Sequence, residues 1–345
     1  MKIFELTGLK EMQLNHIDDP VIEHDNQVKI KMKSIGVCGS DVHYYNTGRI
    51  GSQVVEYPFA VGHEGAAMVT EIGSGVTRVK PGDKVAIDPA MPCGECDQCK
   101  KGREHTCRNL KFLGCPGQAP GCLSDYIVMP EDSCFKIPQA MTYEEAALIE
   151  PLSIGVYGVR KAIVQPNDSV GILGFGPIGM SVMLALQSEG IKNIHVTDKI
   201  DERLNIAKNQ RAAWIGNPEK SDVVDDISNK EPLLLDVVFE CCGQQDAMDN
   251  AIDLLKPGGK LILIGIPEFD RWTMSADKIR RKELVLQNIR RQLNCVQAAI
   301  DLIKNKKVDV SAMKTHQFPF SQTQKAFDLV SAYHDGVMKA MIHFD

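Results

Sequence analysis

The sequence predicts an α/β protein of two parts: a β-rich domain that carries the chemistry and a doubly wound parallel-sheet domain set within the chain. Three observations predict it. The chain has 345 residues, more than one ordinary core accommodates, so two domains are the natural division. Up to about residue 150 it reads as short apolar runs broken by Gly, Pro and Asp, and from Ile154 it alternates strand, helix, strand, helix. A glycine-rich turn, Gly174-Phe175-Gly176-Pro177-Ile178-Gly179, stands at the first strand-to-helix junction of the alternating part.

In the first part the expected strands are Val28 to Met32, Ala66 to Ile72, Lys84 to Ile87 and Asp125 to Val128, with no long helix before Tyr143. In the second, Ser169 to Leu173 reads as a buried strand and Gly179 to Ser188 as an apolar helix. Asn193 to Thr197 follows as a strand, and Asp201 to Asn209 as a helix with Asp201 as its N-cap. Leu235 to Glu240 and Lys260 to Ile264 are further strands, and the helix between them stops at Lys256-Pro257-Gly258-Gly259. The helix Val296 to Lys304 and the strand Lys339 to Phe344 rejoin the first part. The expected domains are therefore 1–152 with 295–345, and 153–294.

Composition narrows the partners. The chain is 43% hydrophobic and 24% charged, as globular proteins are, and its formal net charge of −6 removes an electrostatic case for nucleic acid or an anionic membrane. Arg280-Arg281-Lys282 and Arg290-Arg291 are short and flanked by apolar residues, which reads as a solvated face. No stretch is apolar enough to span a bilayer and the N-terminus lacks the core of an export signal, so a soluble protein of the cytoplasm is expected. In that setting the eleven cysteines point to metal ligands or buried thiols rather than disulfides.

The glycine turn has the context a dinucleotide needs. Gly174 permits the tight turn, Gly176 removes a side chain where pyrophosphate approaches, and Gly179 lets the helix pack on the strand. The helix N-terminus then turns its N–H groups to the phosphates. Asp198 ends the next strand about 20 residues on, where a carboxylate receives the ribose hydroxyls and repels a 2′-phosphate. NAD is expected over NADP, with Lys199 pulling slightly the other way. A similar turn serves S-adenosylmethionine-dependent methyltransferases, the competing reading of the motif alone.

Two groups of metal-ligand residues stand upstream. Cys93, Cys96, Cys99 and Cys107 form C-x2-C-x2-C-x7-C in a polar loop, which closes a four-thiolate structural zinc site with no open position. An iron–sulfur cluster is its rival, and His105 inside the run is surplus. Cys38 and the pair His63-Glu64 are dispersed; a thiolate, an imidazole and a carboxylate suit a catalytic zinc that keeps an exchangeable position.

Together, Gly36-Val37-Cys38-Gly39-Ser40-Asp41, Gly62-His63-Glu64, the four-cysteine run, Glu150-Pro151-Leu152-Ser153 and the glycine turn resemble the zinc-dependent medium-chain dehydrogenase family over the whole chain. Ser40-Asp41-Val42-His43-Tyr44, Gly48-Arg49-Ile50-Gly51 and Ala147-Leu148-Ile149-Glu150 are most similar to its sorbitol (L-iditol, xylitol) dehydrogenase branch. The resemblance implies a GroES-like catalytic domain with a Rossmann domain, two zinc ions per chain, NAD, and oxidation of a secondary hydroxyl of a small polyol to the ketose. It also implies a homo-oligomer, a tetramer rather than a dimer.

Residue by residue, the resemblance assigns Cys38, His63 and Glu64 to the catalytic zinc, where the metal acts as a Lewis acid on the hydroxyl. Glu150 would hold the metal's water or move onto the metal. Ser40 would take the alcohol proton and His43 pass it outward. Tyr44, Glu150 and Arg290 would contact the polyol. Pro177, Ile178, Asp198, Arg203, Ile264 and Ile266 would contact the cofactor.

There are departures from the branch. Ala67 replaces a glycine, Arg291 stands where tyrosine is frequent, and Cys115 and Pro116 occupy a loop that lines the pocket in relatives. Arg291 beside Arg290, as a substrate contact, keeps open a related dehydrogenase of L-threonine or a hexitol phosphate. A catalytically silent binding protein is disfavoured because every zinc and proton-relay position is occupied. Cys115, Cys122, Cys134, Cys241, Cys242 and Cys295 lack ligand spacing and read as buried thiols.

Overall fold

The computed structural model describes residues 1–344, and the chain divides into two compact units. The first comprises Met1–Glu150, Val296–Lys306 and Met313–Asp345; the second comprises Pro151–Cys295 and Lys307–Ala312.

In the first unit a seven-stranded sheet runs in the order Cys134–Lys136, Lys84–Ile87, Glu64–Ile72, Gln27–Gly36, Lys339–His343 and Lys314–Pro319, with Tyr126–Pro130 also paired to Gln27–Gly36. Gln27–Gly36 is rich in β-branched and long apolar residues, and Val28, Ile30, Met32 and Ile35 are fully buried. They share one core with Val61, Leu123, Met129 and Ile342. The last strand is what completes this core: Met341 pairs with Gly36, and Gly36 on its other side pairs with Glu64.

No long helix precedes Tyr143, as expected, but a short one, Gly39–Thr47, was not foreseen. Its sequence has almost no amphipathic period, which is why periodicity missed it. Its ends hold it. Asp41 accepts the Cys38 N–H at 3.3 Å in a capping box, and Gly48 closes it in the left-handed region at φ 69°.

The second unit is a six-stranded parallel sheet in the order Trp214–Gly216, Ile194–Thr197, Val170–Leu173, Leu235–Glu240, Leu255–Leu263 and Val285–Asn288. Val170–Leu173 and Ile194–Thr197 are buried throughout, as strands covered on both faces must be. The chain leaves Val170–Leu173 toward one edge and later returns to its other side, which makes the carboxyl end of that strand a topological switch point.

Three local expectations are corrected. Ile200, not Asp201, is the N-cap of the helix Asp201–Asn209; Asp201 lies in the first turn, drawn to Asn217 and Lys220 instead of its own helix N–H groups. The helix Gln245–Leu254 ends before Leu255, and Lys256-Pro257-Gly258-Gly259 lies inside the span Leu255–Leu263. Leu235 pairs with Leu255 and Val237 with Lys260, so the Pro-Gly-Gly segment is an irregularity in the ladder rather than the helix stop. Cys242 is exposed and Cys241 half-buried, against the expectation of buried thiols, because both lie past the end of the strand Leu235–Glu240.

Candidate active site

The three dispersed donors converge in the first unit: one ligand atom each from Cys38, His63 and Glu64 lies within 4.8 Å of the others. Cys38 opens the helix Gly39–Thr47, and Glu64 opens the strand Glu64–Ile72 beside Gly36. His63 is 6% and Glu64 1% exposed, so these groups are withdrawn from bulk water.

Their surroundings include two residues that the sequence reading missed. Asp41 is fully buried; its Oδ1 lies 3.2 Å from His63 Nδ1 and accepts the Gly62 N–H at 3.1 Å. A carboxylate behind an imidazole fixes the tautomer with Nδ1 protonated and leaves the Nε2 lone pair free to bind a metal. Its signal in the sequence was its place three residues after Cys38. Lys339 is 1% exposed, and its Nζ donates to both Glu64 oxygens at 2.7 and 2.6 Å and to the Val37 carbonyl at 3.1 Å. A lysine at the head of an apolar strand, hundreds of residues away, gave no such signal. Gly36 makes the pair possible: a Cβ there would fall 2.4 Å from Glu64 Oε2 and 3.3 Å from Lys339 Cδ.

The electrostatics favour positive charge at this point. Burial pulls the pKa of His63 down, yet Asp41 and Cys38 outweigh it and raise it well above the ordinary histidine value. Burial likewise pulls Lys339 down, and Glu64 more than offsets it. A thiol, a buried imidazole backed by a carboxylate, and a second carboxylate in a site that stabilises positive charge fit a divalent cation.

Ser40, His43, Tyr44 and Glu150 belong to the same unit as these donors. Ser40 Oγ donates to Cys38 Sγ at 3.3 Å. His43 is half-buried three residues further along the same helix face. Tyr44 is buried one turn after Ser40. Glu150 is 8% exposed, and burial pushes its carboxyl up to about 7; Glu64 and Asp88 add to the rise, while His63 and Lys339 restrain it. Arg290 and Arg291 belong to the second unit, in the loop after Val285–Asn288; Arg290 is exposed, and Arg291 is half-buried with φ 55°.

Cys93, Cys96, Cys99 and Cys107 also converge, with sulfur–sulfur distances of 3.6 Å for Cys96–Cys99, 3.4 Å for Cys93–Cys107 and 3.9 Å for Cys96–Cys107. Backbone N–H groups of Arg108 and Cys99 aimed at Cys96 lower its thiol to about 6, whereas burial pushes Cys99 up to about 12. Four close thiols with amide donors turned on one sulfur fit a closed tetrathiolate metal site. His105 is buried beside them but outside the donor set. The described chain contains no disulfide; all eleven cysteines are free.

In the second unit the glycine turn follows Val170–Leu173 and opens the helix Pro177–Ser188, with Gly176 as N-cap and Pro177 and Ile178 in the first turn. Gly174 has φ 91°, and a Cβ on Gly179 would fall 2.1 Å from the Gly174 carbonyl oxygen. At Gly176 a Cβ would meet only Arg203 Nη1 at 3.5 Å, so the turn has an open hollow faced by a guanidinium. Asp198 accepts the Phe175 N–H at 2.6 Å and the Ile200 N–H at 2.8 Å, which aims its carboxylate at the same turn. Lys199 pairs with Asp246 at 3.3 Å. Ile264 and Ile266 follow the carboxyl end of Leu255–Leu263, half-buried and exposed respectively. An uncrowded glycine turn at a helix N-terminus with a carboxylate at the next strand's end fits a dinucleotide.

Comparison with known proteins adds to this geometry. Residues 24–139 match the alcohol dehydrogenase GroES-like domain, and residues 177–305 match the zinc-binding dehydrogenase domain. The chain is 35% identical to a sorbitol dehydrogenase of Bacillus subtilis, over 99% of this chain and 97% of that one. It is 34% identical to an L-idonate 5-dehydrogenase of Vitis vinifera, over 98% and 93%. Its fold matches the crystal structure of an alcohol dehydrogenase from Escherichia coli CFT073 complexed with NADH, with a TM-score of 0.91, 27% identity, and coverage of 100% and 99%.

Proposed function

Because the chain belongs to the zinc-dependent medium-chain dehydrogenases, in their polyol branch, we propose that it oxidises a secondary hydroxyl of a small polyol to the ketone with NAD as hydride acceptor. The observation that carries this reading is the convergence of Cys38, His63 and Glu64 in a chain that also carries a dinucleotide cradle.

Cys38, His63 and Glu64 would hold one zinc and the four cysteines 93, 96, 99 and 107 a second, structural one. When bound, the first supplies Lewis acidity that lowers the pKa of a substrate hydroxyl toward neutrality. Asp41 holds His63 in the tautomer whose Nε2 lone pair is free to bind a metal, and Lys339 neutralises part of the Glu64 charge. Ser40 Oγ takes the hydroxyl proton and passes it to His43, whose imidazole can accept it and release it to water. Glu150, buried and close to neutral pH in its pKa, holds a proton or a water next to the same donors. Tyr44 contributes a hydrogen bond to the polyol, with Arg290 and Arg291 as further contacts.

In the second unit Gly174, Gly176, Pro177, Ile178 and Gly179 would seat the pyrophosphate beside Arg203, and Asp198 would bind the ribose hydroxyls. Ile264 and Ile266 would flank the cofactor. Asp198 favours NAD over NADP, and Lys199, engaged with Asp246, does not oppose it.

The test is NADH formation across sorbitol, xylitol, L-threonine and hexitol phosphates, with zinc counted in the purified protein. We expect two zinc ions per chain and activity on the polyols. Turnover confined to threonine or a phosphorylated hexitol, or metal in the cysteine lobe alone, would falsify the reading.

A further inference from the structure

A small polar cluster surrounds Tyr44 inside the first unit. Tyr44 Oη donates to Gln53 Oε1 at 3.4 Å and lies 3.7 Å from Cys115 Sγ, and Gln53 Nε2 donates to Cys115 Sγ at 2.7 Å. Tyr44 is 4% and Cys115 3% exposed; Gln53 is half-buried. A glutamine side chain has two N–H hydrogens and two carbonyl lone pairs. These two bonds use one of each, so the Gln53 amide keeps one donor and one acceptor.

The segments that build this cluster are those that carry the metal donors. Tyr44 stands one turn after Ser40 on the helix that Cys38 opens. Gly114, next to Cys115, packs against Gly62 so closely that a Cβ there would fall 2.8 Å from the Gly62 carbonyl oxygen. Phe112 of the same loop meets the His63 ring at a centroid distance of 5.3 Å. Gln53 lies on the short strand Gln53–Val54, paired to Arg49–Ile50 directly after the helix, and the Val55 N–H donates to the Gly48 carbonyl at 2.8 Å. The amide is thus held in place at both ends, by the hairpin backbone and by the Cys115 sulfur.

We propose that Gln53 is a specificity-determining residue: anchored by Cys115 and set against the Tyr44 hydroxyl, its amide reads a substrate hydroxyl remote from the reacting carbon. This rests on the reading of the protein as a polyol dehydrogenase. One donor and one acceptor side by side match a hydroxyl, which is both. A methyl group in the same place would strand both amide groups, which is how a site built for an OH rejects an analogue lacking it.

The experiment compares xylitol with 2,3-butanediol, which has no hydroxyl beyond its vicinal pair, in the zinc-loaded wild-type protein and in the variants Q53L, Q53E and C115S. Xylitol binding to the cofactor-loaded proteins is followed by calorimetry. Q53L is expected to raise KM for xylitol about tenfold, more than it lowers kcat, to weaken the calorimetric Kd in parallel, and to reduce the xylitol/2,3-butanediol ratio of kcat/KM by a similar factor. Q53E keeps an acceptor toward Tyr44 and recovers part of the ratio. C115S keeps a hydrogen-bonding atom against Gln53 and changes it less than about threefold. Should Q53L not fold, Q53M, of matching length, takes its place. A folded Q53L or Q53M with the wild-type ratio and wild-type xylitol affinity overturns this inference and leaves the polyol reading standing. A wild-type protein inactive on every polyol removes both, and shows it before any variant is made.

Discussion

Gly36 is among the most constrained residues of the metal-donor region. It sits between Glu64 and the last strand, and any side chain there would collide with the Glu64 carboxylate that Lys339 holds. Removing one partner of a buried ion pair leaves the other charge uncompensated, at a cost of about 3–5 kcal/mol. K339M should therefore destabilise the first unit by that order in urea, and more in chelated protein than in zinc-loaded protein, because a metal on Glu64 substitutes for the lost cation. An equal loss in both forms would show that Glu64 does not share its charge with a metal. Asp41 acts through His63. D41N should weaken metal retention about 10–100-fold in a chelator competition while the cysteine-lobe zinc stays bound. Cys38 and the His63-Glu64 pair were legible in the sequence because ligand residue types are few; Asp41 and Lys339 were not singled out, because a buried carboxylate and a buried lysine look like surface residues until burial is known.

At the scale of elements, strands and helices with a clear apolar period were legible to within a few residues, as Lys84–Ile87, Asp201–Asn209 and Leu235–Glu240 show. The helix Gly39–Thr47 was not, because its buried residues Val42, Tyr44 and Tyr45 stand among polar ones without a clear apolar period. The strand Ile194–Thr197 supports a prediction about pH. His195 is 2% exposed, with Nε2 3.3 Å from Glu231 Oε1; burial lowers its pKa, and Glu231 only partly restores it. Glu231 is itself held low, against its burial, by hydrogen bonds from Asn193 and Ser169. A histidine whose pKa is depressed on folding stabilises fully above the unfolded value near 6.5 and loses that stability as pH falls through it; a depressed carboxylate loses stability on further acidification. Both signs agree. Melting of the second unit should shift downward between pH 7.5 and 5.5, and H195L should flatten that slope. A slope unchanged in H195L would assign the acid sensitivity elsewhere.

For the whole molecule, each unit has its own core, but the cysteine lobe has almost none: between Cys93 and Cys107 only Cys99, His105 and Cys107 are buried. Its fold depends on what joins the sulfurs. A strong chelator should open it first, so that trypsin cuts at exposed Lys100, Lys101 and Arg103 before the rest of the chain unfolds. Resistance of those bonds after complete zinc removal would mean that the lobe is held by something other than metal. No helix among the described residues is long and apolar enough to cross a membrane.

The alternation of elements in two parts, the glycine turn and the four-cysteine run are local patterns that the amino-acid order alone carries; Cys38 and the His63-Glu64 pair are dispersed, and only the fold brings them together. Only the tertiary structure decided what stands behind the ligands. Lys339 reaches Glu64, and Gln53 reaches Cys115, through strand pairing and loop packing between segments far apart in the chain. Long-range register follows from how whole faces bury against one another, a property of the assembled sheet that no local pattern carries.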